Sequence, residues 1–307
     1  MAIYNVEELS SEAFRKLIPQ AKLFNDSEGR DGEQIQLTGT NMTHLDLSGL
    51  HLSGMDLSGK NLNGMNLDDT HFKECDLTGT SFNGASLNHT GFYMSALDNA
   101  DLKQTTGIKP DFQFASLTDA SFNGSHLESP QFSYAYGLHV KMVNAAMNGI
   151  NGYKMRLLDS DFSKGYFKYG SFTETDINQS KCEGATFDYA NFSRANLNGC
   201  NFDNATMAYT NLTSAKMGDV KTNGLYMPGL ITTDIKTDLT IAKFDQIGKT
   251  KGSIVYNAIH DQVSMPKINK SISMAEFEKL ALKDPVLKNV PQVFQQVKKE
   301  CSKQTVR

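Results

Sequence analysis

The chain has 307 residues, 39% of them hydrophobic, with 34 acidic against 30 basic side chains and a formal net charge of −4. That balance argues against direct nucleic-acid binding through a basic surface, and no stretch approaches the ~18 apolar residues that a membrane span needs. Four cysteines without a Cys-x-x-Cys pair read as reduced thiols, and no cofactor is needed to hold such a chain together.

Residues 1–34 read as an N-terminal helical cap and linker. The spacing predicts a short helix over 5–18, with Ser10-Ser11-Glu12-Ala13 as its capped start and Pro19 as its end. Residues 25–34 are polar and suit a linker. Met1 to Ser10 carries Glu7 and Glu8 and no long apolar run, so nothing there resembles a signal peptide. The expected location is the cytoplasm, or a host cell reached without a classical signal.

From Leu37 to Met227 every fifth residue is apolar in one unbroken register. Of 39 such positions, 35 are Leu, Met, Phe, Ile or Cys, where a 39% hydrophobic composition would give about 15. Only Gly107, Gly137, Gly152 and Thr222 depart from it. A period of five is neither that of a helix nor that of a flat strand; the chain must turn a corner every five residues. A second period of twenty stacks like on like, as in Phe72, Phe92, Phe112 and Phe132, or Leu57, Leu77, Leu97 and Leu117. Four segments of five therefore make one coil, and residues twenty apart sit one strand spacing, about 4.8 Å, above each other. The expected fold is an all-β solenoid, a right-handed parallel quadrilateral β-helix of about ten coils over residues 35–230.

The flanking positions agree. Two before the centre stands, usually, a small or modestly apolar residue such as Ala85, Ala100, Ala115 or Ala190; one before it, often Asp or Asn; two after it, often Gly, as at Gly49, Gly54 and Gly59. Where the centre is missing, at 104–110 and 137–152, we expect a kink or bulge. Ile108, Leu138 or Tyr153 would swing inward to fill the space. Runs such as Ala190-Asn191-Phe192-Ser193-Arg194 and Ala195-Asn196-Leu197-Asn198-Gly199 resemble the pentapeptide-repeat family, with its Ala-(Asp/Asn)-Leu-x-x pattern.

From Ile231 the pentads stop, and residues 231–307 read as a mixed, mainly helical C-terminal region. It contains β-prone runs at 239–242 and 253–256, then a capping box at Ser273-Met274-Ala275-Glu276 that opens a helix to Leu282. Charge is uneven: residues 33–230 hold 20 acids and 13 bases, residues 231–307 hold 8 and 13, and the early coils 33–106 hold 9 and 3.

A search for chemistry finds no catalytic set, no metal-ligand spacing, no phosphate loop and no cofactor site. His51 and His71 should stack on the exterior as neutral imidazoles. Cys75, Cys182 and Cys200 fall on inward positions, and Cys301 reads as an inert thiol in the tail. What remains is surface. Two after the centre, where side chains point outward, Met94, Phe114 and Tyr134 are twenty apart, and so are Tyr169, Tyr189 and Tyr209. The first trio belongs to the Phe-stacked face and the second to an adjacent one. Together with Tyr136 and Tyr153 beside the glycine break, these are the candidate partner-binding residues, since exposed aromatic groups dominate protein interfaces.

The resemblance implies a non-enzymatic interaction scaffold, of the kind some bacteria deliver into host cells as effectors, with an unidentified protein as partner; a homodimer is left open. It also implies an alternative, a DNA mimic that occupies a type II topoisomerase such as gyrase. Duplex DNA carries one charge per about 1.7 Å, so a rod of about 45 Å would need roughly 26. The 20 acids offset by 13 bases of residues 33–230 fall short of that.

Overall fold

The computed structural model describes residues 1–227 and three short strands beyond them. Strand β1 (Ala2–Asn5) leads through a helical turn, Val6–Glu8, into helix α1 (Ser11–Asp26), and β2 (Ile35–Thr38) opens the rod. The rod then winds as a right-handed quadrilateral β-helix, each side of the square ending in a tight turn. Isolated parallel bridges join residues twenty apart from Asn41 with Asn61 to Thr206 with Tyr226. Two wider sides form strand pairs: β3 (Thr106–Ile108) with β4 (His126–Glu128), and β5 (Tyr136–Leu138) with β6 (Arg156–Leu158), all parallel. Strands β7 (Val255–Asn257), β8 (Gln262–Met265) and β9 (Lys270–Ser273) form an antiparallel sheet. The β-prone run at 253–256 thus overlaps β7. Ser273, the expected start of a helix, ends β9, while residues 274–282, the run at 239–242 and Cys301 lie outside the described residues.

The interior is a stack of side chains. Phe72, Phe92, Phe112 and Phe132 stack with nearly parallel rings, successive centroids 5.3, 4.8 and 4.8 Å apart. Phe82 and Phe122 approach this pile edge-on from the opposite side of the square. Several inward hydroxyls bond to backbone, although Ser125 Oγ is buried without a partner. Thr70, Thr80 and Thr90 donate to the carbonyls of Leu47, Leu57 and Leu67 at 2.9, 2.7 and 2.8 Å. Each reaches the preceding coil, which is why Thr and Ser can replace Ala two before the centre. The Asp and Asn residues one before the centre hold the corners: Asp56 accepts the Ser58 N–H at 3.0 Å and Asp76 that of Thr78 at 3.0 Å.

Three expectations are corrected. Helix α1 does not stop at Pro19 but runs through it to Asp26. Phe14, Leu17 and Ala21 are buried against the start of the rod, and Asn25 donates to the Gly54 carbonyl at 2.9 Å. This tertiary anchoring outweighs the hydrogen bond that proline removes. Ahead of α1, β1 pairs in parallel with β2 and satisfies the backbone of the first coil's edge.

The glycine breaks produce neither a kink nor a bulge, since Gly107 stays in register with Leu127 and Gly137 with Leu157. Ile108 and Leu138 remain on the outside, and Tyr153 is half-buried. At Gly107 and Gly137 the preceding coil's backbone comes too close for a side chain. A Cβ would lie 2.7 Å from the carbonyl carbon of Leu87 or Leu117 respectively. Gly152 is different: Met155, buried two before the next centre, turns its Cε toward that space, 3.2 Å from where a Cβ would be.

Two outcomes follow. Gly107→Ala should cost about 1–3 kcal/mol because rigid backbone blocks it, whereas Gly152→Ala should cost less, its Cβ meeting the movable Met155 Cε at 3.2 Å and the Ser171 carbonyl oxygen at 3.3 Å. Equal urea midpoints for the two variants would refute this account. Burial pushes the Cys75 and Cys200 thiols up from 9.0 to about 12, and it pushes Cys182 up as well. The unfolded chain ionises these thiols near 9.0 while the rod keeps them neutral, so stability is intact below that pH and falls as pH rises toward about 12. A Cys75→Ala, Cys200→Ala variant should therefore lose less stability than the parent between about pH 8 and pH 10.5 in urea titrations.

Candidate interaction face

From Gly49 to Gly224 each corner residue two after a centre adopts a left-handed backbone, with φ of 72° at Gly54, 59° at Glu74 and 57° at Glu174. Glycine takes this conformation freely, and side-chain-bearing residues pay about 1–2 kcal/mol for it. Here the costly positions carry bulk: Met94, Phe114 and Tyr134 at φ 58°, 59° and 61°, and Tyr169, Tyr189 and Tyr209 at 59°, 61° and 55°. Such a corner throws its side chain outward, so these groups stand on the edges of the square.

The first ladder is more than a row of rings. Phe114 and Tyr134 stack at 4.8 Å and 3°, Tyr153 meets Tyr134 edge-on at 5.6 Å, and Tyr93 meets Phe114 at 5.4 Å. The same corner column continues into charge. Lys154 Nζ lies 5.8 Å from the Tyr134 centroid and 5.2 Å from that of Tyr153. Glu174 then lies 3.6 Å from Lys154 and 3.5 Å from Arg194. A hydrogen bond to Tyr153, with Tyr134, Tyr153 and Glu174 nearby, holds the Lys154 ammonium above its ordinary value. In the second ladder Tyr169, Tyr189 and Tyr209 stack at 5.2 and 5.0 Å.

Rings at that spacing cover one another's faces. What they offer outward is edges and phenol hydroxyls, which suit a protein surface better than a ligand that must lie flat on a ring.

The structure thus brings together Phe114, Tyr134 and Tyr153, with exposed Met94 twenty residues before Phe114, and it brings together Tyr169, Tyr189 and Tyr209. Tyr136 stands apart, past the corner on β5 and half exposed. The side of the square running from Tyr169 to Glu174 is the one whose core is Phe172 and Phe192, so both ladders border the same outer face, on opposite edges. Tyr93, Lys154, Glu174 and Arg194 were missed by the sequence reading. Continuing the twenty-residue step past Tyr134 would have found the last three.

The other chemistry-bearing groups are structural. His51 and His71 stack at 4.5 Å, and a Cβ on Gly91 would lie 2.9 Å from His71 Nδ1, so the glycine makes room for the ring. Asp56, Asp76 and Asp176 each accept a turn N–H. No cluster of metal-ligating side chains occurs among the described residues. No helix among them is long and apolar enough to cross a membrane. An open groove of about 480 Å³ over β3 and β4, lined by Asn88, Ile108, His126 and Glu128, lies away from the ladders.

With this geometry in hand, comparison with known proteins finds Pentapeptide repeats, in 8 copies, over residues 35–73, 66–104 and 187–221. The chain carries pentapeptide repeats over these residues. The unmatched stretch of this pentapeptide rod, 105–186, holds all three glycine centres.

Among solved structures, it is similar to HetL from the cyanobacterium Nostoc sp. strain PCC 7120, a pentapeptide repeat protein involved in heterocyst differentiation regulation. Identity is 21%, with 60% of this chain and 87% of HetL covered, at a TM-score of 0.35. It is also similar to full-length QnrB1, a plasmid-mediated fluoroquinolone resistance protein, at 18% identity, 59% and 94% coverage and a TM-score of 0.40. No match was found among curated proteins.

Three left-handed corners in the tyrosine ladder cost about 3–6 kcal/mol, and two stacked pairs return about 1–3 kcal/mol. Stacking alone does not repay the placement. Tyr189→Gly is accordingly expected to leave stability within about 1 kcal/mol of the parent, as read from the urea midpoint. A loss well beyond that would mean the ladder exists to hold the rod together.

Proposed function

We propose that this protein is a non-enzymatic scaffold that binds a partner protein through the face bordered by its two ladders. The observation that carries this reading is the choice of bulky aromatic residues at left-handed corners, where the same columns elsewhere use Gly54 and Gly149. Backbone strain kept without a stability return is characteristic of functional positions. The groups so placed, tyrosines and phenylalanine with an arginine and a lysine beside them, are those that dominate protein interfaces. Residues 231–307, with 13 bases against 8 acids, provide a second surface in this reading.

A DNA-mimic role at a type II topoisomerase draws support from the 9 acids against 3 bases of residues 33–106. Against it, Asp46, Asp56, Asp76 and Asp101 are engaged as corner caps, and the later coils mix both signs.

Replacing Tyr134 and Tyr189 with Ser should preserve the circular dichroism spectrum and abolish partner capture in cross-linking pull-downs from bacterial and eukaryotic lysates. Undiminished capture would remove the face from consideration. Gyrase supercoiling should be unchanged by micromolar protein; potent inhibition would promote the mimic above the scaffold.

A further inference from the structure

We propose that the partner seated on the ladder face is a second copy of this chain, laid antiparallel with a twofold axis at the coil of Tyr134. This rests on the reading that the face binds protein. With the axis in the interface and perpendicular to both rods, each outward column meets its own copy in reverse order.

The column Glu74, Met94, Phe114, Tyr134, Lys154, Glu174 and Arg194 then pairs end for end. Tyr134 meets its own copy, Phe114 meets Lys154, and exposed Glu74 meets exposed Arg194: a ring pair, a cation over a ring and an ion pair. Met94 meets Glu174, whose charge is already held between Lys154 and Arg194. On the opposite edge Tyr189 comes against Asp69 and Tyr169 against His89, so one contact uses both ladders.

Charge fixes the register. A residue on the axis meets itself and must be neutral, and the coil of Tyr134 offers Ser129, Gln131 and Ser133 besides the tyrosine. One coil earlier, Lys109 and Asp111 would each oppose themselves; one coil later, Lys154 would. Parallel rods would instead set Glu74 against Asp69. Like charges placed opposite one another suppress association.

The six coil spacings from Glu74 to Arg194 give a strip about 29 Å long and one face wide. That is smaller than the ~800 Å² per partner of a standard stable interface, so the expected dimer is weak, dissociating at about 10–100 µM.

Sedimentation equilibrium of the full chain over about 5–500 µM tests this. The parent should show a monomer–dimer equilibrium. Glu74→Arg or Arg194→Glu alone should weaken it about tenfold, because the twofold applies each change twice, and the two together should restore it to within about threefold. Tyr134→Ser should weaken it at least as much as either single change. Monomer at every concentration, or a dimer indifferent to these substitutions, overturns the proposal. If the chain is monomeric but the Tyr134→Ser, Tyr189→Ser variant still loses captured protein, only the second copy is ruled out and the face keeps its role. If neither self-association nor capture responds, both fall.

Discussion

Backbone hydrogen bonds between neighbouring coils set the geometry from which everything else in this protein derives. Phe72 donates its N–H to the Gly91 carbonyl at 2.6 Å, and Gly91 donates to that of Thr70 at 2.9 Å. The same pattern recurs from coil to coil, always across nineteen or twenty-one residues. Because the bonds run along the rod, every residue is stacked on the residue twenty away. A single choice of side chain is then repeated into a column, and a column is either a pile of core, a row of corner caps or an outward ladder. Each coil contacts only its neighbours, so stability accumulates along the length.

That constraint explains how the rod tolerates irregular content without losing register. Where the centre is glycine, the neighbouring backbone moves in, as at Gly107 and Gly137, or another inward side chain supplies volume, as Met155 does beside Gly152. Gly165 and Gly170 work in the opposite sense. A Cβ on either would collide with the rings of Phe167 or Phe172, at 2.4 and 2.6 Å, so an oversized centre is matched by an absent partner. Volume is thus balanced within a coil and its neighbour, and the outer surface is left free to vary.

The proposed interaction uses the outer surface. Corners supply positions whose side chains cannot turn inward, and the stacking rule makes them line up. The Met94 to Arg194 column shows what a repeat can do with this: an apolar stretch, a cation held over two tyrosine rings, and an alternating ion-pair ladder, all on one edge of one face. No loop, cavity or cofactor is required. Rings stacked at about 5 Å expose edges and hydroxyls, and so the column is suited to recognise another folded surface.

Periods of five and twenty determined the fold, because in a solenoid local spacing and tertiary contact are the same fact: Phe72 and Phe92 are stacked because they are twenty apart. For the same reason the outward ladders were legible as far as their aromatic members. Tertiary structure decided what depends on shape across the coil. The sequence could not say that helix α1 would pass through Pro19, since burial of Phe14, Leu17 and Ala21 against the rod outweighs the lost bond. Nor could it say that Gly107 marks a close approach of backbone while Gly152 marks a space taken by Met155. It placed the two ladders on adjacent faces, and because a corner side chain belongs equally to the two sides that meet there, the folded square also sets both along the margins of one face.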